Sequence, residues 1–275
     1  MLIRTRPKFR STNPAERRTL NVSTHAAPSR WPTTESASGR FWPRLQTALL
    51  DLLFPPQCVA CRRAGPLVCD ACAQAVLPVG PTICAGCGRP QAHAVTRCDQ
   101  CQHLTADPLS GVRIAALHSS PLREMIHAFK YEQQPELAAP LARYLVALIQ
   151  TLPWSAAFPS VDGVVPVPLY SARYQERGYN QAELLASAFC HSVQLPLCSA
   201  WLLRQRATPS QVGLTAVERR RNVEDAFVAT HAVFGKRLLL IDDVFTTGAT
   251  MRACAQAALD AGASAVYGLA LACPR

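Results

Sequence analysis

The run Leu238-Leu239-Leu240-Ile241-Asp242-Asp243-Val244-Phe245-Thr246-Thr247-Gly248-Ala249-Thr250-Met251 constrains this chain more than any other stretch. Its four branched apolar residues, with no polar interruption, read as a strand buried on both faces, as in a parallel sheet. Two carboxylates then stand where the strand should emerge, and open α/β sheets bind ligands beyond the carboxyl ends of their strands. Thr246 to Thr250 supply hydroxyls and a glycine that lets the backbone approach a ligand closely, and an alanine-rich helix is expected from about Ala249 to Ala261. The N–H groups and positive dipole end of such a helix seat a phosphate. Acids beside a phosphate seat are reconciled by a sugar phosphate: the turn takes the 5′-phosphate, and Asp242 and Asp243 accept hydrogen bonds from vicinal ribose hydroxyls. The plainer alternative is a strand, turn and helix carrying two solvated acids.

The second constraint is four Cys-x-x-Cys pairs: Cys58 and Cys61, Cys69 and Cys72, Cys84 and Cys87, Cys98 and Cys101. Two thiolates separated by two residues can grip one ion from a single tight turn, so eight cysteines make two four-thiolate zinc sites. The first and third pairs lie 26 positions apart and the second and fourth 29, and Cys69-Asp70-Ala71-Cys72 is echoed by Cys98-Asp99-Gln100-Cys101. This repeat favours sequential pairing, one zinc on Cys58, Cys61, Cys69 and Cys72 and one on Cys84, Cys87, Cys98 and Cys101; interleaved pairing stays open. Full cysteine ligation leaves no position for a catalytic water, so both metals read as structural. Each would supply folding free energy on the order of 10 kcal/mol at neutral pH. Redox pairs would call for a flanking βαβ pattern that is not seen here. His93 and His103 are surplus to the ligand count. A zinc ribbon can pack on its own protein or present a nucleic-acid platform, and the spacing does not separate these.

Twelve cysteines in a chain whose start lacks the apolar core of a secretory signal point to a reducing compartment, the cytoplasm. No run of about 18 apolar residues occurs, so no integral membrane segment is expected. Of the net charge of +10, residues 1 to 45 carry nine Lys or Arg against Glu16 and Glu35. That segment, without periodic apolar residues, reads as a disordered basic extension over 1–44. It could hold a phosphate polymer, or reflect a transit peptide or a start assigned too far upstream.

Leu45, Leu49, Leu50, Leu52 and Leu53 predict a short amphipathic helix before Pro55-Pro56, leading into the cysteine region, so that 45–107 forms the helix and ribbons and 108–275 the α/β domain. Val112 to Leu117 suggests a strand, with Ser120 as N-cap and Pro121 as first helical residue. Leu122, Met125, Ile126 and Phe129 share one helix face, Lys130 closes that helix, and Leu137, Leu141, Leu145 and Leu148 mark another. Val161 to Pro168 reads as a further strand, and Arg173 to Gln181 as a loop before a helix, where Arg173 and Arg177 can grip a diphosphate bidentately. Trp201 to Leu203 suggests a short strand. The basic connection after it is long enough for a lid, with Arg204, Arg206, Gln211, Arg219 and Asn222 as closing residues. Phe227 to Ala229 and Ser264 to Leu271 are read as completing the parallel sheet. Cys190, Cys198, Cys254 and Cys273 read as packing residues.

The stretch from Leu238 to Thr250 resembles the phosphoribosyl-pyrophosphate (PRPP) motif of type I phosphoribosyltransferases, with only Phe245 bulkier than the usual aliphatic residue. Leu-Leu-Phe-Pro-Pro before the cysteines, Pro-Val-Pro-Leu, Arg173-x-x-x-Arg177-Gly-Tyr-Asn-Gln, Gln211 with Leu214, and Arg219-x-x-Asn222 extend the likeness. Residues 45 to 275 together resemble the ComF family of competence-associated proteins. The resemblance implies an N-terminal zinc ribbon joined to a type I phosphoribosyltransferase-like parallel sheet flanked by helices. It also implies a cytoplasmic role in DNA uptake during natural transformation, with single-stranded DNA and an uptake motor protein as partners. The implied site binds PRPP with Mg²⁺: Asp242 and Asp243 hold the ribose, Thr246, Thr247, Gly248, Ala249 and Thr250 anchor the 5′-phosphate, and Arg173, Arg177 and Lys130 stabilise departing pyrophosphate. No residue stands out as a base for an acceptor, so a transferase and a non-catalytic PRPP-sensing or single-stranded-DNA-binding adaptor both remain open. No Walker A, G-x-S-x-G or H-E-x-x-H pattern occurs, which disfavours an ATPase, a serine hydrolase and a zinc protease.

Overall fold

A computed structural model describes residues 55–104, 106–151, 160–205 and 226–275. The basic extension, the helix expected over Leu45 to Leu53, and Arg206, Gln211, Arg219 and Asn222 lie outside the described residues. The elements in chain order are α1 (Asp70–Gln74), α2 (Asp99–Gln102), β1 (Gly111–Leu117), α3 (Leu122–Tyr131), α4 (Ala138–Thr151), β2 (Gly163–Pro166), α5 (Ser171–Arg177) and α6 (Gln181–Val193). After these come β3 (Leu202–Arg204), β4 (Phe227–Ala229), β5 (Arg237–Val244), α7 (Ala249–Asp260) and β6 (Ala265–Cys273).

Four strands pair in the order β1-β6-β5-β2, every pair parallel. β5 lies inside the sheet because its residues are apolar toward both faces. Leu239 and Ile241 enter a core with Met125, Phe129, Leu141 and Leu185 from α3, α4 and α6. Leu238 and Leu240 enter another with Cys254, Ala255 and Ala258 of α7. All four side chains are fully buried, and each such burial stabilises by about 2 kcal/mol over exposure.

Three expectations change. β4 does not join the parallel sheet; it pairs antiparallel with β3, Leu203 opposite Val228, as a separate two-stranded ribbon. Too short to span the sheet, it packs its buried Phe227 on the α7 side. Most of the loop expected from Arg173 onward is helix α5, which ends where Gly178 adopts a left-handed φ of 80° and accepts the helix C-terminus. Finally, α3 starts at Leu122 with Pro121, one residue on from the expected Ser120, as its N-cap residue.

The cysteine modules are built into this sheet. Residues of the first, Val59 and Val76, belong to the α3/α4/α6 core; the second sinks Cys84, Cys87, Cys98 and Cys101 into the α7 core. The link between them runs along β1: Pro78 bridges Ala116, the Val79 N–H donates to the Ala115 carbonyl (3.0 Å), and the Leu117 N–H donates to the Leu77 carbonyl (2.8 Å). The two modules thus flank opposite faces of the sheet at its β1 edge, and the link pairs backbone groups that an edge strand otherwise exposes. Gly88, at φ 70°, is required at this contact, since a Cβ there would stand 2.5 Å from the Val112 carbonyl oxygen.

Candidate functional site

Pairing of the cysteines is sequential. The Sγ atoms of Cys58, Cys61, Cys69 and Cys72 lie within 4.8 Å of one another, as do those of Cys84, Cys87, Cys98 and Cys101. Individual separations are 3.7 Å for Cys61–Cys69, 3.9 Å for Cys84–Cys101 and 3.6 Å for Cys87–Cys98. Tetrahedral zinc with Zn–S bonds of about 2.3 Å holds its sulfurs about 3.8 Å apart. Backbone N–H groups also point at sulfur, Cys69 toward Cys58 (3.5 Å) and Cys98 toward Cys84 (3.3 Å), as donors to thiolates would. Four thiolates this close would repel one another, and a divalent cation at their centre would offset that repulsion. Both sites fit structural zinc, and neither includes His93 or His103.

A cavity of about 550 Å³ opens beyond the carboxyl ends of the strands. It gathers Lys130 from the end of α3, Arg173 and Arg177 from α5, Asp242 and Asp243 from β5, and Thr246, Gly248, Ala249 and Thr250 from the turn into α7. Residues separated by more than 100 positions therefore share one space, because helices α3 and α5 both follow strands of the same parallel sheet.

The two acids differ in surroundings. Asp243 is 7% exposed and meets Lys130 Nζ at 2.7 Å. Asp242 accepts a hydrogen bond from the Asp243 N–H (2.9 Å). Desolvation first, and then the Asp243 charge, push its carboxyl up to about 7, against the pull of Lys130. Arg177 stacks over the Tyr131 ring (5.0 Å to the centroid) and donates to Gln181 Oε1 (2.9 Å). Asn180 holds the start of α6: its Oδ1 accepts from the Ala182 N–H (3.1 Å) and its Nδ2 donates to the Val167 carbonyl (3.1 Å). That bond ties α6 to the chain leaving β2, and Arg177 sits one turn away.

The turn is set by Gly248, whose φ of 77° is left-handed and which caps α7. Thr247 is the predicted site residue that does not reach the cavity: its Oγ1 accepts from the Ala249 N–H (3.3 Å), and its carbonyl accepts from Arg252 (2.8 Å). Sequence reasoning missed His118, Arg123 and His127, which also line the cavity. His118 follows β1 directly, so the rule that marked Asp242 would have found it; Arg123 and His127 repeat at helical spacing on α3. Arg204, expected on a lid, lines the cavity wall with its guanidinium over Phe227 (5.2 Å).

A parallel sheet whose central strand ends in paired acids and a glycine turn into a helix, with two four-thiolate ribbons on its edge, defines a zinc-ribbon protein of phosphoribosyltransferase-like fold. Residues 49–102 match the double zinc ribbon domain. Similar proteins include DNA utilization protein YhgH of Salmonella typhi, 34% identical over 219 residues that cover 78% of this chain and 96% of the relative. Competence protein F of Haemophilus influenzae is 30% identical over 71% of this chain and 87% of its own length. Competence protein ComFC of Bacillus subtilis is 28% identical over 72% and 80%. The chain belongs to the ComF family. Solved structures with a likeness include glutamine PRPP amidotransferase from B. subtilis, 19% identical with a TM-score of 0.36, covering 53% of this chain and 30% of that one. Adenine phosphoribosyltransferase from Leishmania tarentolae is 14% identical with a TM-score of 0.32, covering 53% and 74%. Likenesses this partial carry no functional weight.

Proposed function

We propose that the cavity binds PRPP, or a related ribose phosphate, with Mg²⁺, and that the protein acts in DNA uptake, as the names of its competence-protein relatives suggest, with the cytoplasm as its place of action. The observation that carries this reading is the convergence of two acids, a helix N-terminus and three cationic side chains, Lys130, Arg173 and Arg177, in one cavity. The turn at Thr246 to Thr250 would hold the 5′-phosphate, Asp242 and Asp243 the ribose diol, and the cations a pyrophosphate. Arginine and lysine side chains outnumber carboxylates among the lining residues, five to two, which suits a polyanion. The carboxylate oxygens suit Mg²⁺, which supplies neutralisation of the diphosphate.

Pentosyl transfer is the chemistry such a site supports. The C1–O bond to pyrophosphate breaks, the leaving group departs with the electron pair, and an acceptor closes on C1. Lys130, Arg173 and Arg177 would stabilise the departing charge and Asp242 and Asp243 the cationic ribose. Single-stranded DNA and an uptake motor protein are the partners of this reading.

Calorimetric titration of the zinc-loaded protein with PRPP and Mg²⁺ tests it. Saturable binding lost in Asp243→Asn supports the ribose-phosphate site. Absence of PRPP binding beside salt-sensitive binding of single-stranded DNA would instead make the fold a DNA scaffold.

A further inference from the structure

The carbonyl of Thr247 is held by Arg252, and neither residue lines the cavity. Arg252 Nη1 donates to that oxygen at 2.8 Å. The rest of its guanidinium is fixed by Asp107: Nε lies 3.1 Å from Oδ1 and from Oδ2, and Nη2 lies 3.0 Å from Oδ2. The pair is mostly buried, at 16% and 19% exposed. Asp107 is itself oriented, accepting from the Leu109 N–H at 3.1 Å. A Cβ on Gly248 would stand 2.5 Å from Arg252 Nη1, so the guanidinium lies directly against the turn.

A trans peptide is planar, and its C=O and N–H point in opposite directions. Fixing the Thr247 carbonyl toward Arg252 therefore turns the Gly248 N–H to the other side. Gly248 lines the cavity, whereas Thr247 and Arg252 do not. We propose that Arg252, braced by Asp107, is a positioning residue that aims the Gly248 N–H at the 5′-phosphate of the bound sugar. The inference rests on the ribose-phosphate reading of the cavity. It joins the phosphate turn to the segment that leaves the second cysteine module, 145 positions away. A cation placed behind the turn spends its hydrogen bonds on protein groups, so it orients the peptide and does not contact the anion.

The test compares full-length, zinc-loaded wild type with Arg252→Met, Arg252→Lys, Asp107→Asn and the Asp107→Asn/Arg252→Met double variant. Each is titrated with ribose 5-phosphate and with inorganic pyrophosphate, and the Gly248 amide is followed by NMR. Arg252→Met should weaken ribose 5-phosphate binding about tenfold, the loss of one hydrogen bond to a charged group, and leave pyrophosphate binding within about twofold. The ligand-induced shift of the Gly248 amide should shrink with it. Arg252→Lys, which keeps charge but not the fork, should fall between the two, and the double variant should bind no worse than Arg252→Met alone. If Arg252→Met does not fold, Asp107→Asn and Arg252→Lys carry the comparison. Unchanged ribose 5-phosphate affinity, or equal loss for both ligands, overturns the inference and leaves the reading of the site standing. A wild type that binds no ribose phosphate overturns both.

Discussion

Lys130 Nζ and Asp243 Oδ2 stand 2.7 Å apart, with side chains 19% and 10% exposed, and so tie the end of α3 to the end of β5. The cation proposed for pyrophosphate and the acid proposed for ribose thus neutralise each other. Removing the cation leaves a nearly buried carboxylate without a counter-charge. Lys130→Met should therefore lower stability by about 3 kcal/mol in urea unfolding. Asp243→Asn should be milder in unfolding but should abolish PRPP binding.

Burial, and then the charge of Asp243, push the Asp242 carboxyl up to about 7 from its ordinary value of 3.8. A raised carboxyl binds protons more tightly folded than unfolded, so its contribution to stability is full below the ordinary value and is lost as pH rises through about 7. In the proposed site, ribose hydroxyls and Mg²⁺ would be held by the ionised form. PRPP affinity should then rise about tenfold from about pH 6 to 8 while the melting temperature drops over the same interval. Asp242→Asn should flatten both trends. Calorimetry and thermal melts across that range give the answer.

At Gly248 the backbone is left-handed and the space is filled. A Cβ there would meet Phe245 Cζ at 2.4 Å as well as Arg252. Gly248→Ala should cost about 2 kcal/mol of stability and weaken ribose 5-phosphate binding more than pyrophosphate binding, as separate titrations would register.

Zinc removal should unsettle both faces of the sheet, because the two modules contribute residues to the two cores. Metal analysis should return two zinc ions per chain, matching the two four-cysteine sets. Cys84→Ser, in the fully buried second set, should lower the melting temperature more than Cys61→Ser, whose side chain is exposed. An equal effect would mean that the second module is not part of the sheet's core.

Much of the site was legible because its signals are local. The apolar run of β5, the acids behind it and the glycine before α7 occupy 14 consecutive positions, Leu238 to Met251, and a strand, a turn and a helix start each follow from neighbours in the chain. The cysteine spacing was equally informative, since a knuckle is a local turn. The separate β3–β4 ribbon was not legible: three-residue strands carry no pattern that states which partner they take.

Chain-local chemistry thus specified the groups on offer: thiolates spaced for metal, paired acids ahead of a helix start, and arginines on a neighbouring segment. Folding decided their company. Lys130 meets Asp243, Asp107 braces Arg252, and the link at Leu77 to Val79 seals the edge of β1. These pairings join segments far apart in the chain, so they depend on how two apolar faces of one sheet are covered. Periodicity records that a face is apolar, but packing alone selects what lies against it.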